Sequence, residues 1–498
     1  MPQYVIALDQ GTTSSRAVVF DANGRIVSQH NIEFEQLYPQ PGWVEHRPED
    51  ILHTTIDALK TAVEKAGIGI DEIACIGITN QRETTLVWQK DTGQPLHNAI
   101  VWQCRRTTEL CQQLQEDGHL EKIRLKTGLV IDPYFSATKL KWLLDHVPAV
   151  RQAADADNLA FGTVDSYLCY HLIEGQPHVT DYSNASRTML YNINRLEWDD
   201  ELLQLFGVPQ HCLPQVLPSS GVVGYLKPEI LGRQIPVAAM VGDQQAALFG
   251  QCCFEPGEMK NTYGTGCFLL MNTGQELVRS NHQLITSLGA CVGERPCYIL
   301  EGSVFIAGAA VQWLRDEMQL VPDAAATEQM ALSVPDTDGV VMVPAFVGLG
   351  APYWDMDSRG LIIGITRGTN AAHIVRSALE AIAYQSYDVI HSMKEDCPGI
   401  ALKSLKVDGG ASANDFLMQF QSDILGMDVQ RCAIRETTAL GAAYLAGLAC
   451  GVWENTAQLK ALYQMDANFN PKIDQTARQQ QINLWHRAVT RSLGWLES

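Results

Sequence analysis

Gly242-Asp243-Gln244-Gln245 opens a run of small apolar residues, Ala246 to Gly250, that reads as a helix. A carboxylate at a helix start is favoured by the unpaired N–H groups and the positive end of the helix dipole. A carboxylate held there is also suited to take a proton from a hydroxyl. Asp243 is therefore read as both helix cap and candidate catalytic residue. Three other segments place hydroxyls, amides and glycines directly after strand-like runs: Asp9 to Ser15, Asn261 to Gly266, and Asp408 to Asn414. Glycine lets backbone N–H groups approach phosphate oxygens, and Thr or Ser adds hydroxyl donors without bulk. Asp9, opening the first turn, could hold Mg²⁺ through waters, because that ion prefers few carboxylates and many waters. Arg82-Glu83, just past another strand end, offers a donor beside an acceptor for a polar ligand.

The elements that must position these groups alternate between strand and helix patterns. Tyr4 to Leu8, Ala17 to Phe20 and Arg25 to His30 read as three strands separated by polar turns. A helix is predicted from about Pro48 to Lys65, with Leu52, Ile56, Leu59 and Val63 on one face, and a strand from Ala74 to Ile78. The same grammar returns after Asp243: turn and strand over Met259 to Asn272, strand at Tyr298 to Leu300, helix at Phe305 to Met318, and strand at Val340 to Val343. Helices at Ala371 to Met393 and Asp415 to Leu425 follow, with the strand Leu405 to Val407 between them. Two α/β halves result, divided near residues 245–260, as domains 1–250 and 251–498. The segment after Asn455 reads as amphipathic helix and loop.

Composition excludes several classes. The 498 residues, 46% hydrophobic and 18% charged, are those of a globular chain of two or three domains. A net charge of −20 offers no basic stripe for a nucleic-acid partner. The start, Met1-Pro2-Gln3-Tyr4, has no basic region ahead of an apolar core, so no signal peptide is expected. The longest near-apolar stretch, Ala439 to Trp453, is too short to span a bilayer, and a soluble cytoplasmic protein without membrane insertion is expected. Thirteen cysteines without Cys-x-x-Cys spacing read as reduced structural thiols. No Gly-Lys dipeptide occurs, which removes the Walker A loop, and no Gly-x-Gly-x-x-Gly follows a strand.

Asp9-Gln10-Gly11-Thr12-Thr13-Ser14-Ser15-Arg16, Asn261 to Phe268 and Asp408-Gly409-Gly410 resemble the two phosphate loops and the adenosine loop of the actin, hexokinase and Hsp70 superfamily. With Asn80-Gln81-Arg82-Glu83-Thr84, Trp102 to Arg106 and Gly242 to Gln245, the resemblance narrows to the FGGY carbohydrate kinases and, among these, to the branch acting on glycerol. It covers about residues 3 to 450. The fold it implies is α/β, two ribonuclease-H-like domains of the actin-type ATPase facing each other across an active-site cleft. The activity it implies is transfer of phosphate from ATP to glycerol.

Carried over residue by residue, the resemblance implies that Thr12, Thr13, Ser14 and Arg16 meet the ATP phosphates and that Asp9 and Asp243 hold Mg²⁺. Thr265 and Gly266 would lie beside the phosphates, Gly308 and Gln312 would border the nucleotide, and Gly410 and Asn414 would hold the adenosine. Arg82, Glu83, Asp243 and Gln244 would bind glycerol hydroxyls, and Trp102, Tyr134 and Phe268 would wall its carbon stem. The family also implies a homo-dimer or homo-tetramer. Some relatives carry a basic, glycine-rich loop for fructose 1,6-bisphosphate, which Tyr225 to Gln234 does not match, and others a phosphorylated His, of which none occurs from Val222 to Met240. Two competing readings are a kinase for a ketose or longer polyol such as xylulose, and an ATP-switched binding protein.

Overall fold

The computed structural model describes residues 3–496; Met1 and Pro2 of the start discussed above lie outside the described residues, as do Glu497 and Ser498. Strand β1 (Tyr4–Gln10) pairs antiparallel with β2 (Ser14–Phe20), and β2 with β3 (Ile26–Glu33). On its other side β1 runs parallel to β4 (Ile73–Asn80). The antiparallel hairpin of β5 (Ser220–Tyr225) and β6 (Pro236–Gly242) completes a sheet of order β5-β6-β4-β1-β2-β3, with β6 parallel to β4.

Alternation along β1 and β2 explains why both read as unbroken apolar runs. Ile6, Leu8, Ala17 and Val19 face helix α1 (Pro48–Ala66), against Ile51, Leu59 and Val63. Val5, Ala7, Val18 and Phe20 face the opposite way, into a separate core. Pro48 sits in the first turn of α1, where its missing N–H costs nothing, and Gly67 ends the helix in the left-handed region.

The second sheet repeats the first. Strands β7 (Met259–Tyr263), β8 (Cys267–Gly274), β9 (Ile285–Leu288), β10 (Tyr298–Val304), β11 (Leu405–Asp408), β12 (Val429–Cys432) and β13 (Met465–Phe469) lie in the order β9-β10-β8-β7-β11-β12-β13. Strands β7, β8 and β10 form an antiparallel meander, as β1, β2 and β3 do. Parallel β11 and β12 extend it as β4 and β6 extend the first sheet.

Helix α2 (Asp243–Gly250) leaves the end of β6, α3 (Gly308–Asp316) follows β10, and α4 (Ala371–Asp396) and α5 (Asp415–Leu425) cover the second sheet. Helix α6 (Thr437–Ala449) comes from the second half of the sequence yet packs on β1, β4 and β6 of the first sheet, covering the face opposite α1 with Ala439, Ala442 and Ala443. It also crosses α2 at backbone contact. A Cβ on Gly250 would meet the Thr437 carbonyl, and one on Gly441 the Ala246 carbonyl. The small-residue run that begins at Ala439 is thus a helix crossing, and no described helix is long and apolar enough to cross a membrane.

Two sequence expectations need correction in detail. The helix expected from Phe305 begins at Gly308, because Ala307 departs from helical geometry (φ −124, ψ −92). The C-terminal segment contains an edge strand, β13, besides helices Thr456–Leu462 and α7 (Gln475–Ser492). Its sequence, Met-Asp-Ala-Asn-Phe, does alternate apolar and polar residues, but the run is only five residues long and none of them is buried. All thirteen cysteines are free, as expected, and eleven are buried.

Candidate active site

Asp243, the candidate catalytic carboxylate, stands one residue further into its helix than the sequence reading placed it. Because β6 stays extended through Gly242 (φ −63, ψ 145), that residue caps α2, and Asp243 is the first helical residue. Its Oδ1 accepts from the Gln244 backbone N–H at 2.7 Å and lies 3.2 Å from Arg82 Nε. Its Oδ2 accepts from Gln244 Nε2 at 3.2 Å. The strand end is tied back by the Gly242 N–H, which donates to Ser183 Oγ at 2.8 Å.

Arg82 and Glu83 leave the end of β4 and are fully buried. Their company was not read from the sequence. Arg82 donates from both terminal nitrogens to Glu301 of β10, at 2.7 and 2.9 Å, so a residue of the second sheet orients a residue of the first. Arg187 donates from Nε to Glu83 Oε1 at 2.5 Å, approaches Glu301 at 3.4 Å and lies over the rings of Tyr134 and Phe135. Burial alone would raise the Glu301 carboxyl, but Arg187 and Arg82 pull it down to about 2. Burial also pushes the Glu83 carboxyl up, against the pull of Arg187 and Arg82. Two buried cations thus balance two buried anions, the condition under which such charges persist.

Glu83 carries a further cost, with φ at +60 in the left-handed region. A non-glycine there is strained by about 1 kcal/mol or more and is retained where surrounding contacts over-determine it. Here those contacts are Arg187 on the side chain and Ser136 Oγ on the carbonyl, at 3.0 Å.

The apolar wall assembles from Trp102 and Tyr134, whose rings meet edge to face at 5.4 Å. Lys139 is buried and donates to the carbonyls of Pro133, Tyr134 and Phe135, which fixes the turn carrying Tyr134. Burial lowers its ammonium to about 8. Phe268, on β8, packs beside Leu248 of α2.

The first hairpin loop, between β1 and β2, carries Thr12 and Thr13, and Ser14 begins β2. It is braced by Gln81, which donates to Gln10 Oε1 at 3.0 Å and to the Gly11 carbonyl at 3.1 Å. Arg16 does not stand free, since its guanidinium is paired with Glu436. Burial raises the Asp9 carboxyl to about 7; Arg16 opposes the rise, and Glu436 and Asp243 add to it. Asp9, Glu436 and Asp243 are therefore close enough to influence one another, with Arg16 among them. Among the described residues, no three His, Cys, Asp or Glu side chains converge as a metal cluster.

The second hairpin loop, Gly264 to Gly266, seats on the start of α3. Ala307 and Ala309 N–H donate to the Thr265 carbonyl at 2.9 and 3.1 Å, and Gly308 N–H to Gly264 at 3.0 Å. The packing role of Gly308 is explicit, because a Cβ there would come within 2.5 Å of the Gly264 carbonyl. Thr265, Gly308, Gln312, Gly410 and Asn414 line one cavity of about 460 Å³. The Asn414 side chain caps α5, accepting from Leu417 N–H at 2.9 Å, and donates to Thr327 Oγ1 at 3.2 Å. A larger surface concavity beside Lys126 and Trp198 contains none of the predicted residues.

Sequence reasoning missed Arg187, Glu301, Lys260 and Glu436. For Glu301 and Lys260 a signal existed, since each is a lone charge in a strand otherwise apolar or neutral, Ile299-Leu300-Glu301 and Met259-Lys260-Asn261. Charged residues in buried strands are rare unless paired. Arg187 and Glu436 lie in irregular segments and carried no such signal.

Two sheets of one topology, each carrying a hydroxyl- and glycine-rich hairpin, make up the two-domain fold of the actin-like ATPase carbohydrate kinases. The description of the FGGY N-terminal domain matches residues 4–250, and that of the C-terminal domain residues 259–450. The chain belongs to the FGGY family of carbohydrate kinases. It is 58% identical to glycerol kinase 2 of Thermotoga maritima over 99% of both chains. The structure of Plasmodium falciparum glycerol kinase with ADP superposes with a TM-score of 0.94 at 37% identity, covering 98% of each chain. Xylulose kinase from Lactobacillus acidophilus, at 21% identity and a TM-score of 0.89 over 99% of this chain and 100% of its own, shares the fold.

Proposed function

We propose that this chain is an ATP-dependent glycerol kinase that produces sn-glycerol 3-phosphate and ADP. The observation that carries the reading is the Asp243 carboxylate, held at the start of α2 by Arg82 and by Gln244, whose amide is tied in turn to Lys260 on the strand leading into the second hairpin loop. The full-length identity to glycerol kinases supports it.

In this reading Arg82 and Glu83 bind hydroxyls at one end of glycerol, with Trp102, Tyr134 and Phe268 against its carbon stem. Asp243 orients the terminal hydroxyl and accepts its proton as the γ-phosphoryl group moves in line. Phosphoryl transfer has a loose transition state, so positioning and charge stabilisation dominate. Thr12, Thr13, Ser14, Arg16, Thr265 and Gly266 contact the phosphates, while Gly308, Gln312, Gly410 and Asn414 border the nucleoside.

The neighbouring Asp9 and Asp243 carboxylates suit Mg²⁺, which with few carboxylate ligands keeps most of its waters. Bound there with ATP, it would neutralise phosphate charge. Division of labour between residues 1–250 and 251–498, a cytoplasmic location and a homo-dimeric or homo-tetrameric state complete the proposal on the family resemblance.

The test is ADP release by the pure protein over glycerol, dihydroxyacetone, xylulose and ribulose. Turnover with xylulose and none with glycerol would replace this reading with the ketose kinase.

A further inference from the structure

Lys260 lies on β7 and is fully buried. Its Nζ donates to Gln244 Oε1 at 2.5 Å and to Thr262 Oγ1 at 2.9 Å. Gln244 in turn donates from Nε2 to Asp243 Oδ2 at 3.2 Å. The chemistry of the two ends settles the amide's direction. An ammonium can only donate, so the atom facing Lys260 must be the amide oxygen, and an ionised carboxylate can only accept, so the atom facing Asp243 must be the NH₂ group. Both demands select one of the two amide orientations.

We propose that Lys260 is a positioning residue for phosphoryl transfer: from the second sheet it locks the Gln244 amide with its NH₂ toward Asp243, fixing the catalytic carboxylate. The inference rests on the kinase reading above for its consequence, but the contact itself does not. Three features make the lock specific. Lys260 shares β7 with Thr262, two residues along and on the same face, and β7 leads directly into the Gly264–Gly266 loop. One ammonium therefore ties the carboxylate of the first domain to the strand that carries the second phosphate loop. Burial and Arg82 lower the Lys260 ammonium, to about 8, against the opposing pull of Asp408, Asp243 and Glu301. Without it, the oxygen end of the Gln244 amide loses its anchor, and the NH₂ group is no longer held in one place against the Asp243 carboxylate.

The test is a double-mutant cycle in the full-length protein with Lys260→Met and Gln244→Ala, read as kcat, KM for glycerol and ATP, and ADP affinity. K260M is expected to lower kcat by roughly 10- to 100-fold, as for a misplaced catalytic group, with ADP affinity held within about threefold. On the Q244A background it should cost little further kcat, whereas a purely structural lysine would cost the same factor in both backgrounds. Equal losses, or near-normal kcat in K260M, would overturn the proposal.

Should K260M not fold, Gln244→Glu supplies the second arm. It keeps an oxygen for Lys260 but loses the NH₂ facing Asp243, so kcat should fall with ADP binding retained; normal turnover would overturn the proposal. A crystal structure of the unliganded Q244E protein, or of K260M where it folds, reads the contact without activity. Displacement of the residue-244 side chain or of Asp243 from its present place is expected, and unchanged positions would count against the lock. Wild-type protein inactive on glycerol would instead refute the substrate reading and leave this structural arm to decide the proposal.

Discussion

Trp102 Nε1 donates a hydrogen bond to Thr12 Oγ1 at 3.0 Å, joining the proposed wall of the polyol site to the first phosphate loop. In the proposed reading one contact thus serves both substrates. Trp102→Phe keeps an aromatic wall and removes the donor, and a neutral hydrogen bond contributes about 0.5–1.5 kcal/mol, or roughly 2- to 10-fold. KM should rise for both glycerol and ATP in two-substrate kinetics. A rise for glycerol alone would show that the bond does not position the loop.

Asp243→Asn keeps the side chain's shape and removes its basicity. The kcat should fall by roughly 10²–10⁴-fold, the usual contribution of a general base, with ADP binding by calorimetry little changed. Near-normal turnover would remove Asp243 from the base role.

Glu301 is the shared counterion of two buried arginines. Glu301→Ala leaves Arg82 and Arg187 facing each other with only Glu83 and Asp243 nearby. Breaking a buried pair costs about 3–5 kcal/mol, so the urea midpoint should drop sharply. Glu301→Gln, which keeps an oxygen for Arg82, should lose less. Equal stability of wild type and E301A would mean that water enters the site and solvates the arginines.

Glu380 of α4 is buried beside Arg376 at 2.8 Å, and burial outweighs that pairing to raise its carboxyl to about 7 from an ordinary value of 4.5. The folded state thus holds the proton more tightly than the unfolded chain. This contribution to stability is full below pH 4.5, declines as pH rises through 7, and is absent above it. Glu380→Gln should flatten the stability curve between pH 4.5 and 7, measured by urea unfolding at each pH. A slope unchanged in E380Q would assign it to other groups.

Gly308→Ala places a methyl where the Gly264 carbonyl comes within 2.5 Å. Either α3 or the loop must move, so KM for ATP should rise more than KM for glycerol. Overpacking of this kind costs about 1–3 kcal/mol, which a thermal melt would also register. Unchanged ATP kinetics would place the loop's phosphate contacts elsewhere.

Local pattern determined a large share of this protein. Helix α5 spans Asp415–Leu425 as read from the sequence, because its cap residue Asn414 and closing Gly426 are local signals. The strand-turn-strand units at Asp9 and Asn261 were legible for the same reason, as was a carboxylate in the first turn of α2. Only the tertiary structure paired Arg82 with Glu301, 219 residues away, Lys260 with Gln244, and helix α6 with the first sheet. A residue's own propensity decides whether it enters a strand or a helix, but a buried charge is stable only beside its counterion. Which counterion that is depends on sheet register and on how the two domains meet, and no local window of sequence contains either.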